Sequence, residues 1–169
     1  HAGKNFRAIS VAWEKNYCAI LTDKSIRCWS GGMTSMGKSG KTQKKDLAGT
    51  FVKVLGSMWA GCGLRDTGVL VCWGAAEKQI PPEAMPGLKD VENGGKSTYC
   101  GLDDKGSLWC WGSTPELLSP PKGEYVSVAL GKTHGCAVRR DGEMVCWGQS
   151  DKGALSIPSL EAPDKAPGS

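Results

Sequence analysis

Eight cysteines are the residues of this chain with the clearest chemical potential. They form four pairs whose members lie ten residues apart, and a tryptophan directly follows the second member of every pair. Zinc ligands usually come as close pairs separated by two to four residues, which these cysteines are not, and reduced buried thiols would leave the regular spacing unexplained. We therefore expect no metal site and predict four structural disulfides, Cys18–Cys28, Cys62–Cys72, Cys100–Cys110 and Cys136–Cys146.

A phosphate-binding pattern needs separate consideration. Residues Gly32–Ser39 satisfy G-x-x-x-x-G-K-[ST]. That loop works between a buried parallel strand and the N-terminus of a helix. The preceding Ile26–Trp29 belongs to a predicted antiparallel hairpin, and no apolar helical stripe follows. We therefore predict neither a nucleotide nor any other cofactor.

The sequence also gives little support for a catalytic site. The two histidines are His1 and His134, so any Ser–His or Cys–His nucleophilic pair would depend on His134. The carboxylates are scattered among loops without the spacing of an acid–base pair. The sequence therefore predicts a protein that is not an enzyme.

The elements that position the cysteines are β-hairpins. Asp66-Thr67-Gly68, Asp104-Lys105-Gly106 and Asp141-Gly142 occupy the centres of three intervals, and a type I turn followed by a left-handed glycine is typical of a three-residue hairpin loop. Lys24 replaces this glycine in the first interval, so we expect a strained or differently shaped turn there. Residues two apart share a face of a strand, which places each cysteine pair directly opposite across its hairpin.

These hairpins recur with a period of 36 to 44 residues, which is typical of propeller blades. A further strand precedes each hairpin. Apolar segments with proline, at Gln79–Pro81, Leu117–Pro120 and Leu155–Pro158, are candidates for an outer fourth strand. We therefore predict an all-β fold, a β-propeller of four short blades, each with its own disulfide. One domain covers residues 1–169, with blades at about 6–48, 49–86, 87–122 and 123–159 and a tail at 160–169.

The fourth unit resembles a repeat of the regulator-of-chromosome-condensation family. The strand Tyr125–Leu130, then Gly131, His134, Cys136, Gly142 and the pair Trp147-Gly148 stand where that family has its strand, glycines, histidine and Trp-Gly pair. The Cys-Trp-Gly variant resembles the disulfide-bearing repeats of crinkly-type receptor ectodomains and related secreted proteins.

The resemblance implies a propeller, usually of about seven blades. Four units depart from that number. They leave three arrangements open: a rare four-bladed ring, part of a larger propeller, or two chains paired as a homodimer. The nuclear roles of the founding member do not carry over, because the predicted disulfides require an oxidising compartment. We therefore expect a secreted or extracellular protein.

Aromatic residues outside the repeat pattern are the candidates for binding. Trp13 and Trp59 follow the first strand of their units, where we expect loops on one propeller face, and Trp109 also occurs in only one unit. Exposed aromatics on rigidly held loops commonly form recognition hot spots. With His134, which also fits a framework role, they are the predicted binding residues. A protein partner is our first expectation, and a carbohydrate, bound as by a lectin, is the alternative.

Composition narrows the partners further. The net charge of +4 is spread thinly, and the basic run Lys41–Lys45 lacks interleaved aromatics, so we do not expect nucleic-acid binding. No stretch of 18 apolar residues is present, so we do not expect membrane insertion. The chain opens with His1 rather than Met, which fits a processed N-terminus or an excised domain.

Overall fold

Among the residues that the structure describes, twelve strands form four antiparallel sheets of three strands each, in chain order within every sheet. The computed structural model describes residues 5–12, 16–30, 47, 49–56, 60–74, 87–95, 98–150, 153 and 155–156. The phosphate-loop pattern and the tail at 160–169 lie outside them. The strands are β1 Phe6–Ala12, β2 Asn16–Leu21 and β3 Ile26–Ser30 in blade 1; β4 Phe51–Gly56, β5 Ala60–Arg65 and β6 Leu70–Gly74 in blade 2; β7 Leu88–Gly94, β8 Thr98–Asp103 and β9 Leu108–Gly112 in blade 3; and β10 Tyr125–Leu130, β11 His134–Arg139 and β12 Met144–Gly148 in blade 4.

The predicted hairpin register is confirmed in all four blades. Each cysteine faces its partner across the second and third strands, with Cα–Cα distances of 4.0 to 4.1 Å. Pairs this close occupy the non-hydrogen-bonded positions of an antiparallel ladder, where side chains approach best. All eight cysteines are bonded, and none is free. The all-β class with one disulfide per blade is therefore confirmed.

The first hairpin turn has the same shape as the others despite its lysine. Lys24 has φ +64°, in the left-handed region that Gly68, Gly106 and Gly142 occupy in the other blades. The Lys24 N–H donates to the Leu21 carbonyl at 2.9 Å, as the Gly106 N–H donates to the Asp103 carbonyl at 3.1 Å. The expected strain is therefore present, whereas a different turn shape is not. A left-handed conformation costs a residue with a Cβ about 1–2 kcal/mol.

The core consists of three repeated interfaces between consecutive blades. In each interface the face of one blade that carries the disulfide packs on the opposite face of the next blade. Cys62 and Leu64 of blade 2, for example, pack on Leu88, Val91 and Trp111 of blade 3. The equivalent clusters join blades 1 and 2 and blades 3 and 4. Apolar burial between blades, rather than within one blade, therefore holds the fold together.

Backbone hydrogen bonds tie the hairpin turns of blades 1, 2 and 3 to the next blade. The N–H of the first strand residue donates to the turn carbonyl, from Phe51 to Lys24 at 3.0 Å, from Leu88 to Gly68 at 2.9 Å and from Tyr125 to Gly106 at 2.8 Å. These bonds pair backbone N–H and C=O groups at the strand ends and fix the position of one blade along its neighbour.

The predicted outer strand at Leu117–Pro120 is wrong. Pro115–Leu117 instead form a 3-10 helix, which Pro115 begins. Proline favours the first turn of a helix, and Pro120 and Pro121 have no N–H with which to extend a sheet. Leu117 is completely buried, and its carbonyl accepts the indole N–H of Trp147 at 3.1 Å. The predicted outer strand at Gln79–Pro81 lies outside the described residues. Ile157 and Pro158, the second half of the predicted outer strand Leu155–Pro158, also lie outside them.

No helix within the described ranges is long and apolar enough to cross a bilayer.

Candidate recognition surface

In every blade the first strand ends and the second strand begins at one edge of the molecule, which we call the upper edge. We call the segments between these strands the upper loops, namely residues 13–15, 57–59, 95–97 and 131–133, of which the structure describes 95 and 131–133. The hairpin turns, such as Asp104–Gly106, lie at the opposite, lower edge. By sequence, Trp13 and Trp59 fall in the upper loops of blades 1 and 2. Both residues lie outside the described part of the chain, so their role in binding stays a prediction.

The upper loops of blades 3 and 4 pack directly against each other. The Gly95 N–H donates to the Gly131 carbonyl at 2.9 Å. At Gly94, an added Cβ would lie 2.5 Å from the same carbonyl oxygen. The described parts of the upper loops of blades 3 and 4 therefore form a continuous surface of fixed backbone, which can present side chains with little loss of entropy on binding.

His134 begins β11 at this edge and is half-buried. Its ring packs against Gly131, where a Cβ would lie 2.7 Å from Cε1, and its carbonyl accepts the Gly131 N–H at 2.8 Å. The same position in blade 3 is Thr98, which is completely buried and whose hydroxyl accepts the Thr114 N–H at 2.9 Å. The position thus serves the framework in blade 3, whereas in blade 4 it leaves part of an imidazole at the surface.

Trp109 lies away from the other candidates. It is the second residue of β9, near the lower edge of blade 3, and is 41% exposed. Its indole N–H donates to Asp103 Oδ2 at 3.0 Å. The structure therefore does not bring Trp109 together with His134, which begins its hairpin at the upper edge.

Asp103 is the residue at the lower edge whose role the sequence did not reveal. Its Oδ1 accepts the N–H groups of Lys105 at 2.9 Å and Ser107 at 2.8 Å. Burial alone would raise its pKa, but the bonds from Trp109 and these backbone amides outweigh burial and hold the pKa of Asp103 below its ordinary value. A charged Asp103 therefore fixes both the turn and the orientation of Trp109.

The first strands of adjacent blades are linked by polar side chains. Lys53 Nζ bonds Asp90 Oδ1 at 2.8 Å and also contacts Glu92 Oε1. Partial burial lowers the pKa of Lys53, but the two carboxylates outweigh it, so the pKa of Lys53 lies above its ordinary value. This cluster links blades 2 and 3, and its lysine is 37 and 39 positions away from the two carboxylates in the sequence. Sequence patterns do not reveal contacts at such a separation.

No group of three or more His, Cys, Asp or Glu side chains that could hold a metal ion occurs among the residues described. The described part of the candidate surface consists of the upper-edge backbone of blades 3 and 4 and the half-buried imidazole of His134. The four sheets that carry it form a propeller-type scaffold with one disulfide in each blade.

Comparison with known proteins supports this class. Residues 125–154 match the Regulator of chromosome condensation (RCC1) repeat, which agrees with the resemblance seen in the fourth unit. No curated protein sequence matches the chain significantly.

Several solved structures share the fold. The ectodomain of the Physcomitrella patens receptor kinase CR4 has a TM-score of 0.66 at 20% identity, covering 89% of this chain and 42% of that one. The CRINKLY WD40 ectodomain of the Arabidopsis thaliana receptor kinase ACR4 has a TM-score of 0.67 at 21% identity, covering 86% and 54%. Yeast RCC1 (Prp20) bound to Kap60 has a TM-score of 0.69 at 14% identity, covering 95% and 47%. The chain thus spans about half the length of these proteins.

Proposed function

We propose that this protein is an extracellular recognition module that binds a protein partner through its upper edge and performs no catalysis. The observation that carries the proposal is the contrast between framework and loops. The Cys-Trp framework repeats in every blade, whereas among the upper loops a tryptophan occurs only in those of blades 1 and 2. These loops read Trp13-Glu14-Lys15 and Ser57-Met58-Trp59, while the loops of blades 3 and 4 repeat a Gly-Lys-Ser/Thr sequence. Aromatic residues in only two of the four blades suit one asymmetric protein partner better than a small ligand bound in every blade.

The disulfides support an extracellular location. All eight cysteines are paired, and disulfides persist in secreted proteins while cytosolic reductants remove them. Two of the similar folds are receptor-kinase ectodomains, and a third is bound to a protein, Kap60. We propose that the protein serves as a receptor ectodomain, an adhesion module or an enzyme inhibitor.

A parallel screen tests the proposal. The oxidised chain is applied to an array of secreted proteins and cell-surface ectodomains and, at the same concentration, to a glycan array. We expect saturable binding to one or a few proteins. Because hot-spot tryptophans contribute about 2 kcal/mol or more, we expect Trp13→Ala and Trp59→Ala each to weaken that binding about 30-fold or more.

Trp109→Ala, at the lower edge, is the matched control and should leave binding unchanged. If a defined sugar is bound and free sugar competes for the site, the protein is a lectin and the proposal is wrong. If Trp109→Ala abolishes binding while the Trp13 and Trp59 variants retain it, the upper edge is not the binding surface.

A further inference from the structure

Blade 1 has a face that no part of the described chain covers. Ile9 on β1 is 68% exposed, whereas its equivalents in the other blades, Val54, Val91 and Val128, are 5%, 0% and 4% exposed. Each of those three valines packs against the disulfide face of the preceding blade. This face of blade 1 contains a shallow, mostly apolar depression whose lining includes Ala8, Ile9 and the buried Ala19.

Blade 4 has the complementary open face. Cys62 and Cys100 are completely buried by the next blade, while Cys136, at the same position in blade 4, remains partly exposed. Met144 is 38% exposed. The hairpin turn shows the same difference. A Cβ on Gly68 or Gly106 would meet the backbone of the next blade at 2.9 or 2.8 Å, but one on Gly142 would meet nothing within 4 Å.

The chain therefore carries both halves of an interface that it makes three times internally. We propose that two copies associate head to tail, with the disulfide face of blade 4 of each copy on the open face of blade 1 of the other. A two-fold axis satisfies both interfaces at once and closes the assembly. Two copies of the four described blades make a ring of eight, within the range of about 4–8 seen in propellers.

A second copy is the partner that these faces fit because each face already packs against its counterpart within the chain. Ile9 of one copy takes the place of Val54, Val91 or Val128, and Val138 and Met144 of the other copy take the place of Leu64 and Leu70 or their equivalents. The turn at Gly142 then lies beside the first strand of the second copy, as the turn at Gly106 lies beside Tyr125. This proposal rests on the blade faces and is independent of the proposed function of the upper edge.

Sedimentation velocity and light scattering over a dilution series of the oxidised chain test the proposal. We expect a mass twice that of the single chain, which falls to the monomer mass on dilution. Ile9→Asp and Met144→Asp each place a carboxylate in the apolar contact, and we expect each to raise the dissociation constant at least about 100-fold.

Val126→Asp is the matched control, because Val126 is exposed on the first strand of blade 4 but lies outside the proposed contact. This variant should remain dimeric. Far-UV circular dichroism and thermal melting check that each variant is folded. We expect Ile9→Asp and Met144→Asp to fold, because both side chains are already exposed in the single chain.

Mixing the Ile9→Asp and Met144→Asp variants distinguishes packing of blade 4 on blade 1 from a contact in which either face packs on the same face of the other copy. Each supplies one unaltered face, so we expect the mixture to form a dimer where neither variant does alone. A monomer at every concentration would show that another chain or other blades cover these faces, which overturns the proposal. A dimer that survives both substitutions, or one that Val126→Asp also dissociates, would place the contact elsewhere and overturn it too.

Discussion

Gly106→Ala and Gly142→Ala compare the same backbone conformation at a packed and an unpacked hairpin turn. The two glycines have φ values of +87° and +92°, so alanine adds a similar conformational penalty of about 1 kcal/mol at both positions. The surroundings differ. A Cβ at Gly106 lies 2.8 Å from the Tyr125 carbonyl oxygen and 3.0 Å from its nitrogen, while one at Gly142 contacts nothing.

The difference between the two variants measures the contact between blades. At Gly106 the backbone of blade 4 must move, which costs about 1–3 kcal/mol and weakens the hydrogen bond from Tyr125 to Gly106, worth about 1 kcal/mol. We expect Gly106→Ala to lower the free energy of unfolding by about 3 kcal/mol and Gly142→Ala by about 1 kcal/mol.

Urea unfolding followed by tryptophan fluorescence, at concentrations where the chain is monomeric, gives both values. Equal losses of stability at the two positions would refute the reasoning, because they would show that the turn of blade 3 does not pack against blade 4. A larger loss at Gly142 would refute it as well.

Three further substitutions test other contacts. Lys24→Gly should raise the free energy of unfolding by about 0.5–1 kcal/mol, because glycine tolerates the left-handed turn. A urea midpoint lower than that of the wild type would contradict this. Asp103→Asn should cost about 1–2 kcal/mol at neutral pH, since the Trp109 indole N–H loses its charged acceptor. The pKa of Asp103 is lower in the folded state, so its contribution to the free energy of unfolding is complete above about pH 3.9 and is lost as the pH falls through the folded value. The melting temperature between pH 7 and 2 should therefore depend less on pH in the variant than in the wild type. Parallel pH profiles of the two proteins would argue against a charged acceptor. Replacing Cys136 and Cys146 together by alanine should cost about 3 kcal/mol by the chain-entropy estimate for so short a loop, and an unchanged melting temperature would show that this disulfide adds no stability.

Local patterns in the sequence predicted the hairpins correctly. The spacing of ten between cysteines, the central turn residues and the alternation of apolar side chains all act within one ribbon, so they fix the register of Cys62 opposite Cys72 and Leu64 opposite Leu70. Lys24 shows the limit of residue preference, because the surrounding ladder enforces a conformation that lysine disfavours.

Contacts between blades could not be predicted in the same way. The bonds of Lys53 to Asp90 and Glu92 and the burial of Leu117 over Trp147 join segments 30 or more residues apart. They depend on how consecutive sheets stack, which no single-strand pattern encodes. The bond between Asp103 and Trp109 is local, but a carboxylate beside a turn has many other acceptable partners, so the sequence alone did not select it.

The confinement of every disulfide to one hairpin has a consequence for biosynthesis. Each thiol meets its partner across a loop of ten residues, and short loops close far faster than whole domains assemble. Oxidation can therefore proceed ribbon by ribbon as the polypeptide emerges, before consecutive sheets have stacked. Sulfur pairing in this architecture follows local folding, so scrambled isomers would have to form against the much higher effective concentration of the correct partner.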